Sequence, residues 1–200
     1  MRVTRGVTTD RSCLIVLAGG GARRLGGRDK PGLVVGERTL LENVIAAGGA
    51  ARPVVVVGPR RAGIEGVAFV SEEPPGAGPV AALRRGLAEV SAPWAAVLAA
   101  DLPFLRQAHV AALLRAAASG GAGAVLADDA GRPQWLAGCW RTAALREALS
   151  GYDGDSLRGV LGPLEPAIVN LDPVPGEPPP WLDCDTPEDL ERARDWFSRE

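Results

Sequence analysis

The chain predicts an α/β fold of three layers, with helices on both faces of a mainly parallel central sheet. Three observations predict it. Short, fully apolar and largely β-branched runs recur along the chain, amphipathic stretches at helical spacing separate them, and the runs end in glycines or acidic residues. Strands that alternate with helices at these intervals form βα units, and a parallel sheet built from them is covered on both sides. The 200 residues suffice for one well-buried domain, read as 1–200 with residues 1–11 as a flexible N-terminal extension.

The first element is CLIVLA (13–18), a buried strand that stops at three glycines. In TLLENVIAAG (39–48), Leu40, Leu41, Val44 and Ile45 share one helical face, Thr39 offers a cap and Gly48 a stop. PVVVVG (53–58) is too short and too β-branched for a helix and forms the second strand. GVAFVSEE forms a third, ending at Glu72 and Glu73. After the PPGAGP turn, VAALRRGLAEV (80–90) reads as a helix. WAAVLAADLP (94–103) is a fourth buried strand that ends at Asp101. Residues 106–118 form an alanine-rich helix, AGAVLA (122–127) and WLAGCW (135–140) two further strands, and TAALREAL a helix. A proline-dense segment (172–180) leads to WLDCDTPEDLERARDWF, where Thr186 caps a helix with Pro187 at its first position and acidic residues in its first turn.

Composition narrows the function. A hydrophobic fraction of 46% with 23% charged residues describes an ordinary globular protein. The net charge of −2 argues against a general nucleic-acid binder, so any anion affinity is local. No apolar run approaches the roughly 18 residues that span a bilayer, and MRVTRGVTTDRS lacks the apolar stretch of a secretory signal. Cys13, Cys139 and Cys184 are widely spaced and form no CxxC pair. They read as small buried hydrophobes of a reducing, cytoplasmic protein.

In such sheets ligands bind at the carboxyl ends of the strands. The loop at 19–30, Glu72/Glu73, Asp101 and Asp183/Asp185 all fall there or just before a helix. A basic glycine loop facing several carboxylates is what a nucleotide and a divalent cation need together. The loop LAGGGARRLGGRDKPGL (17–33) holds Arg23, Arg24, Arg28 and Lys30, and Lys30 is the only lysine among the 22 basic residues. Lysine is a compact point charge, whereas arginine is a broad planar fork. A position packed against backbone and gripping phosphate is one where the two differ. The loop is not a Walker A motif, because Asp29 precedes Lys30 and Pro31 follows it. It is not a dinucleotide fingerprint either, since the sixth position counted from Gly19 is Arg24. What remains is a run of backbone amides that can wrap a phosphate chain, with cations to neutralise it.

This loop resembles the signature of the molybdenum cofactor guanylyltransferases, within the GT-A-like nucleotidyltransferase superfamily: Leu-Ala-Gly-Gly, a linker, Arg-Met-Gly, then Asp-Lys. Leu25 stands here in place of the usual methionine. The resemblance continues in order through PPGAGPVAAL, with Gly78 and Pro79 matching, LAADLPF with Asp101, RPQWLAGCWR, and DCDTPEDL. It covers residues 13 to 195. Asp183 and Asp185 replace the asparagines of the last motif, Glu73 is a longer homologue of a carboxylate that contacts the nucleoside, and VVVVGPRR lacks an asparagine that helps hold the nucleotide. Near the acceptor, GYDGDSLRGVLG keeps Arg158 but has Asp155 where a basic residue is common.

The resemblance implies a Rossmann-like, GT-A-like fold and a Mg²⁺-dependent transfer of GMP from GTP to the phosphate of molybdopterin, with release of pyrophosphate. It implies catalytic roles for Arg24, Lys30 and Asp101. Nucleotide binding falls to Leu17, Ala18, Gly19, Gly20, Lys30, Glu73, Gly78, Pro79 and Asp101, and metal binding to Asp101 and Asp185. Transient contact with other proteins of cofactor synthesis or with acceptor proteins is implied as well. Leu17-Ala18-Gly19-Gly20 and Asp29-Lys30 favour GTP over the CTP of cytidylyl relatives, which tend to carry Leu-Ala-Ala-Gly and Pro-Lys. The alternatives are a CTP-using or sugar-phosphate enzyme of the same fold, or a nucleotide-binding regulator without turnover. His109, the sole histidine, lies on an alanine-rich helix and reads as a packed or surface residue.

Overall fold

The structure, a computed structural model, describes residues 11–19, 29–172 and 174–199. The expected N-terminal extension, apart from Arg11, lies outside the described residues. Along the chain the elements are β1 (Ser12–Leu17), β2 (Val34–Val35), β3 (Arg38–Thr39), α1 (Leu40–Ala47), β4 (Val54–Val57), β5 (Ala68–Val70) and α2 (Pro79–Ala88). There follow β6 (Trp94–Ala99), α3 (Gln107–Ala118), β7 (Gly123–Ala127), β8 (Pro133–Arg141), α4 (Thr142–Ser150), α5 (Leu157–Leu161), β9 (Ala167–Val169) and α6 (Pro187–Phe197).

Seven strands form one sheet in the order β5-β4-β1-β6-β8-β7-β9. β1, β4, β5 and β6 pair in parallel, as does β9 with β7. β8 runs antiparallel to both β6 and β7. The sheet is therefore mainly parallel, with one reversed strand. The reversal follows from a short connection: Asp128 accepts from the backbone N–H groups of Ala130 and Arg132 and closes a tight turn between β7 and β8. A parallel neighbour would need a crossover of a dozen residues or more.

Burial on both faces makes three layers. From the central strand β1, Leu14 and Val16 pack with Leu41 and Val44 of α1 and Leu113 and Leu114 of α3. Cys13, Ile15 and Leu17 face the other way, among Leu83 and Leu87 of α2, Leu145 of α4 and Leu161 of α5. The period-2 alternation of a strand produces this division. All three cysteines are buried, and burial raises the Cys13 thiol to about 11 and the Cys184 thiol to about 12, so they act as packing groups.

α2 packs closely on the sheet because Gly86 has no side chain. A Cβ there would lie 2.6 Å from Cγ2 of Ile15 and 2.9 Å from Cγ2 of Val57. A third, smaller core of Val35, Leu40, Phe104, Cys184, Leu190 and Ala193 docks α6 against the start of α1 and the β2–β3 hairpin. Reciprocal capping boxes fix the starts of both helices, Thr39 with Glu42 for α1 and Thr186 with Asp189 for α6, each cap stabilising by about 1 kcal/mol.

Candidate active site

The carboxyl ends of β1 and β6, with Glu72 beyond β5, open onto a cavity of about 600 Å³. Its lining includes Leu17, Ala18, Gly19, Lys30, Pro31, Glu72, Gly78, Pro79, Asp101 and Leu136. Sequence reasoning placed Leu17, Ala18, Gly19, Lys30, Gly78, Pro79 and Asp101 in a nucleotide crevice, and the fold brings these together. Gly20 and Arg24 lie outside the described residues, as do Arg23 and Arg28.

Each wall has a local cause. β1 ends where the backbone N–H of Ala18 donates to the carbonyl of Val57 at 2.8 Å, which holds Ala18 and Gly19 against β4. Gly58 sits directly behind them: a Cβ there would come 2.7 Å from the Ala18 carbonyl oxygen. Gly78 caps α2 at φ 97°, ψ 176°, a conformation open to glycine and strained for other residues. Pro79 follows as the first helical residue, where its missing N–H costs nothing. The first turn of α2, whose amides lack intrahelical partners, thereby lies beside the cavity.

Asp101 follows β6, and its backbone carbonyl accepts from the N–H of Cys184 at 3.1 Å. That bond fastens the acidic segment to the end of β6. Cys184 turns into the small core, while Asp185 turns toward the site. Lys30 meets both carboxylates, its Nζ lying 2.5 Å from Oδ2 of Asp101 and 2.5 Å from Oδ1 of Asp185. The lysine side chain is only 13% exposed. Burial works against its charge, but Asp101 through charge and hydrogen bond, together with Asp185, raises its pKa above the ordinary lysine value. Asp183 lies alongside. Burial, then the charges of Asp185 and Asp101, push its carboxyl above the usual range.

Two residues of the site depart from the sequence reading. Glu73 is exposed and does not line the cavity, whereas its neighbour Glu72 is 8% exposed and does. Oε1 of Glu72 accepts from the backbone N–H of Gly76 at 3.1 Å, and the carboxylate approaches Gly19. Strand parity carries the signal. Val70 packs on the α2 side of the sheet, and Glu72, two residues on, continues that side. The second residue is Arg61, which holds the carboxylate of Asp29. Trp140 is fully buried and packs the core. Trp135 is partly buried against the α2 side of the sheet.

The donor set also answers whether a divalent cation could be held. Asp101 and Asp185 converge on a single positive charge, and oxygen donors suit a hard cation. Among the described residues no group of three or more His, Cys, Asp or Glu is arranged to hold a metal ion. Two carboxylates with the remainder from water and phosphate is the usual pattern for Mg²⁺, so these residues fit it.

Gly19 at the end of β1, a lone lysine and paired carboxylates at the parallel strand ends are the layout expected of a nucleotidyltransferase of the α/β class. The comparisons agree. The MobA-like NTP transferase domain matches residues 14–167. A curated relative, the molybdenum cofactor guanylyltransferase of Bradyrhizobium sp. (strain ORS 278), is 34% identical over 90% of this chain and 90% of its own. The chain belongs to the MobA-like NTP transferase family. Among solved structures, 2-C-methyl-D-erythritol 4-phosphate cytidylyltransferase from Thermus thermophilus superposes with a TM-score of 0.70 at 25% identity, covering 94% of this chain and 99% of that one. Molybdopterin-guanine dinucleotide biosynthesis protein A from Archaeoglobus fulgidus gives 0.68 at 20% identity, covering 94% and 99%, a likeness of fold.

Proposed function

We propose that this nucleotidyltransferase moves GMP from GTP to the phosphate of a molybdopterin-type acceptor and releases pyrophosphate. The observation that carries the reading is the meeting of Lys30 with Asp101 and Asp185 at the edge of a cavity that Glu72 enters from the β5 side. The name of the Bradyrhizobium relative supports the guanylyl and molybdenum-cofactor assignments.

In this reaction an oxygen of the acceptor phosphate attacks the α-phosphorus, and the bond to the oxygen bridging toward the β-phosphorus breaks. A phosphate monoester is already anionic near neutral pH, so no strong base is needed, and catalysis rests on positioning and charge. Lys30, with Arg24 from the loop, would neutralise the triphosphate and the departing pyrophosphate. The loop from Leu17 to Gly20 and the start of α2 at Gly78-Pro79 would supply backbone donors. Glu72, in the role expected of Glu73, would accept hydrogen bonds from the nucleoside. Asp101 and Asp185 would hold Mg²⁺, which when bound offsets phosphate charge as a Lewis acid.

The cytidylyltransferase likeness makes the base the point to test. The assay is pyrophosphate release from GTP and from CTP with Mg²⁺, with and without molybdopterin. Release that needs molybdopterin and favours GTP is expected. Preference for CTP overturns the base assignment, and GTP binding without turnover points to a regulator. No helix among the described residues is long and apolar enough to cross a membrane.

A further inference from the structure

The two described ends of the basic loop are fastened to one short stretch of chain, Val57 to Arg61. At the amino end, Ala18 donates to the Val57 carbonyl, and Gly58 leaves room for the Ala18–Gly19 peptide. At the carboxyl end, Arg61 grips Asp29 with both arms of its fork, Nε to Oδ2 at 2.8 Å and Nη2 to Oδ1 at 2.6 Å. Its remaining nitrogen, Nη1, donates to the Pro59 carbonyl at 3.0 Å and so braces the guanidinium against its own backbone. The Arg61 side chain is 11% exposed. A two-pronged charge-assisted contact of this kind fixes orientation as well as distance.

Asp29 is held from the other side too. Its backbone carbonyl accepts from Gly32 at 3.0 Å and opens the 3-10 turn Lys30–Gly32. A Cβ on Gly32 would lie 2.6 Å from Oδ2 of Asp29, so glycine there makes the room in which the carboxylate sits. Lys30 is the next residue along, and its ammonium reaches Asp101 and Asp185. We infer that Arg61 is a positioning residue: its fork on Asp29 fixes the root of the loop, and thereby the reach of Lys30 into the site. Arg61 takes this part in VVVVGPRR, in the stretch that follows β4. The inference deepens the proposed function at the same site, but its main readout does not depend on turnover.

That readout exists because Lys30 is the only lysine in the chain. An amine-directed reagent therefore reports one side chain, separated from the N-terminal amine by peptide mass. With the folded protein, at fixed pH and without nucleotide, Arg61→Ala is expected to raise the labelling rate of Lys30 about tenfold, the scale of losing one well-oriented charged contact. Asp29→Asn should do the same, and the double variant should add little, because both act through one contact. Arg61→Lys, which keeps charge but not the fork, should restore only part of the protection. Arg60→Ala, an exposed neighbour, should leave it unchanged.

Where turnover is measurable, Arg61→Ala should lower kcat more than it raises KM for GTP. Unchanged Lys30 labelling in Arg61→Ala overturns the inference, and a kcat loss in that case would mean that Arg61 touches substrate directly. Altered labelling in a chain that turns over neither GTP nor CTP sustains the positioning role and removes the proposed reaction instead.

Discussion

Replacing Lys30 separates the charge of the site from its shape. In Lys30→Gln the ammonium is lost, and Asp101 and Asp185 stay where the fold puts them, since the Cys184–Asp101 backbone bond and the capped start of α6 do not involve Lys30. Breaking a fully buried ion pair costs about 3–5 kcal/mol, and an exposed one about 0.2–1 kcal/mol. Here the lysine is 13% exposed, Asp101 25% and Asp185 42%, so the cost lies between, at about 1–3 kcal/mol. For a chain of this size that corresponds to a fall in Tm of roughly 2–12 °C, read by calorimetry without nucleotide or divalent cation. Lys30→Arg keeps the charge but brings a wide planar group to a position where two oxygens lie 2.5 Å from a single nitrogen. Its Tm should stay within about 3 °C of the parent, while pyrophosphate release falls about 100- to 1,000-fold, the scale of one misplaced charge-stabilising donor. Near-normal turnover in Lys30→Arg would refute the need for a compact charge. An unchanged Tm in Lys30→Gln would refute the view that Lys30 holds the carboxylates.

Three further outcomes are expected. Glu72→Gln should raise KM for GTP about tenfold, as the loss of one buried charged acceptor implies, whereas Glu73→Gln should leave it alone; steady-state kinetics on the pair checks this. Gly123→Ala should cost about 2–3 kcal/mol in urea denaturation, at the upper end for overpacking, because its Cβ would lie 2.3 Å from Cε3 of the fully buried Trp140. Burial, and then the Arg106 guanidinium, hold His109 below the ordinary imidazole value against the pull of Glu177, and its Nδ1 accepts from the Arg106 N–H at the start of α3. A depressed histidine favours the folded state above its unfolded pKa of about 6.5, and this contribution is lost as the pH falls. The urea midpoint should drop between pH 7.5 and 5.5 in the parent, and less in His109→Gln, whose amide oxygen keeps the cap without titrating.

The sheet and most of its helices could be read because their signals are local. Runs such as CLIVLA and PVVVVG admit few alternatives, and capping chemistry marks Thr39 and Thr186 in the sequence itself. The β2–β3 hairpin, α5 and β9 were not readable, being two, two, five and three residues long, too short for a period to show. Their formation is settled by partners distant in the chain, as when Val34 accepts from Arg194 of α6. The site divides in the same way. The glycine loop, Asp101 and Gly78-Pro79 carry motif spacing, whereas the choice of Glu72 over Glu73 depends on which face of β5 meets α2. The Arg61–Asp29 contact spans 32 residues and has no local signature.

The charge balance around Lys30 bears on the proposal that Asp101 and Asp185 would hold a divalent cation. Among the described residues, Asp101, Asp183, Asp185 and Glu72 stand at or beside the cavity with one ammonium between two of them. Burial, and then the charges of Asp185 and Asp101, hold the Asp183 carboxyl above its usual range. A lysine has three donor protons and one charge, and two contacts are taken by Asp101 and Asp185. If a triphosphate draws Lys30 to itself, the carboxylates lose their counter-ion in a part-buried place where unpaired charge is costly. If Lys30 stays, the triphosphate meets a wall of like charge. Under the proposed function, a divalent cation held by Asp101 and Asp185 would offset this charge and leave Lys30 for the nucleotide. The aspartates at 183 and 185 strengthen this proposal, because amides at these positions would leave less charge to balance.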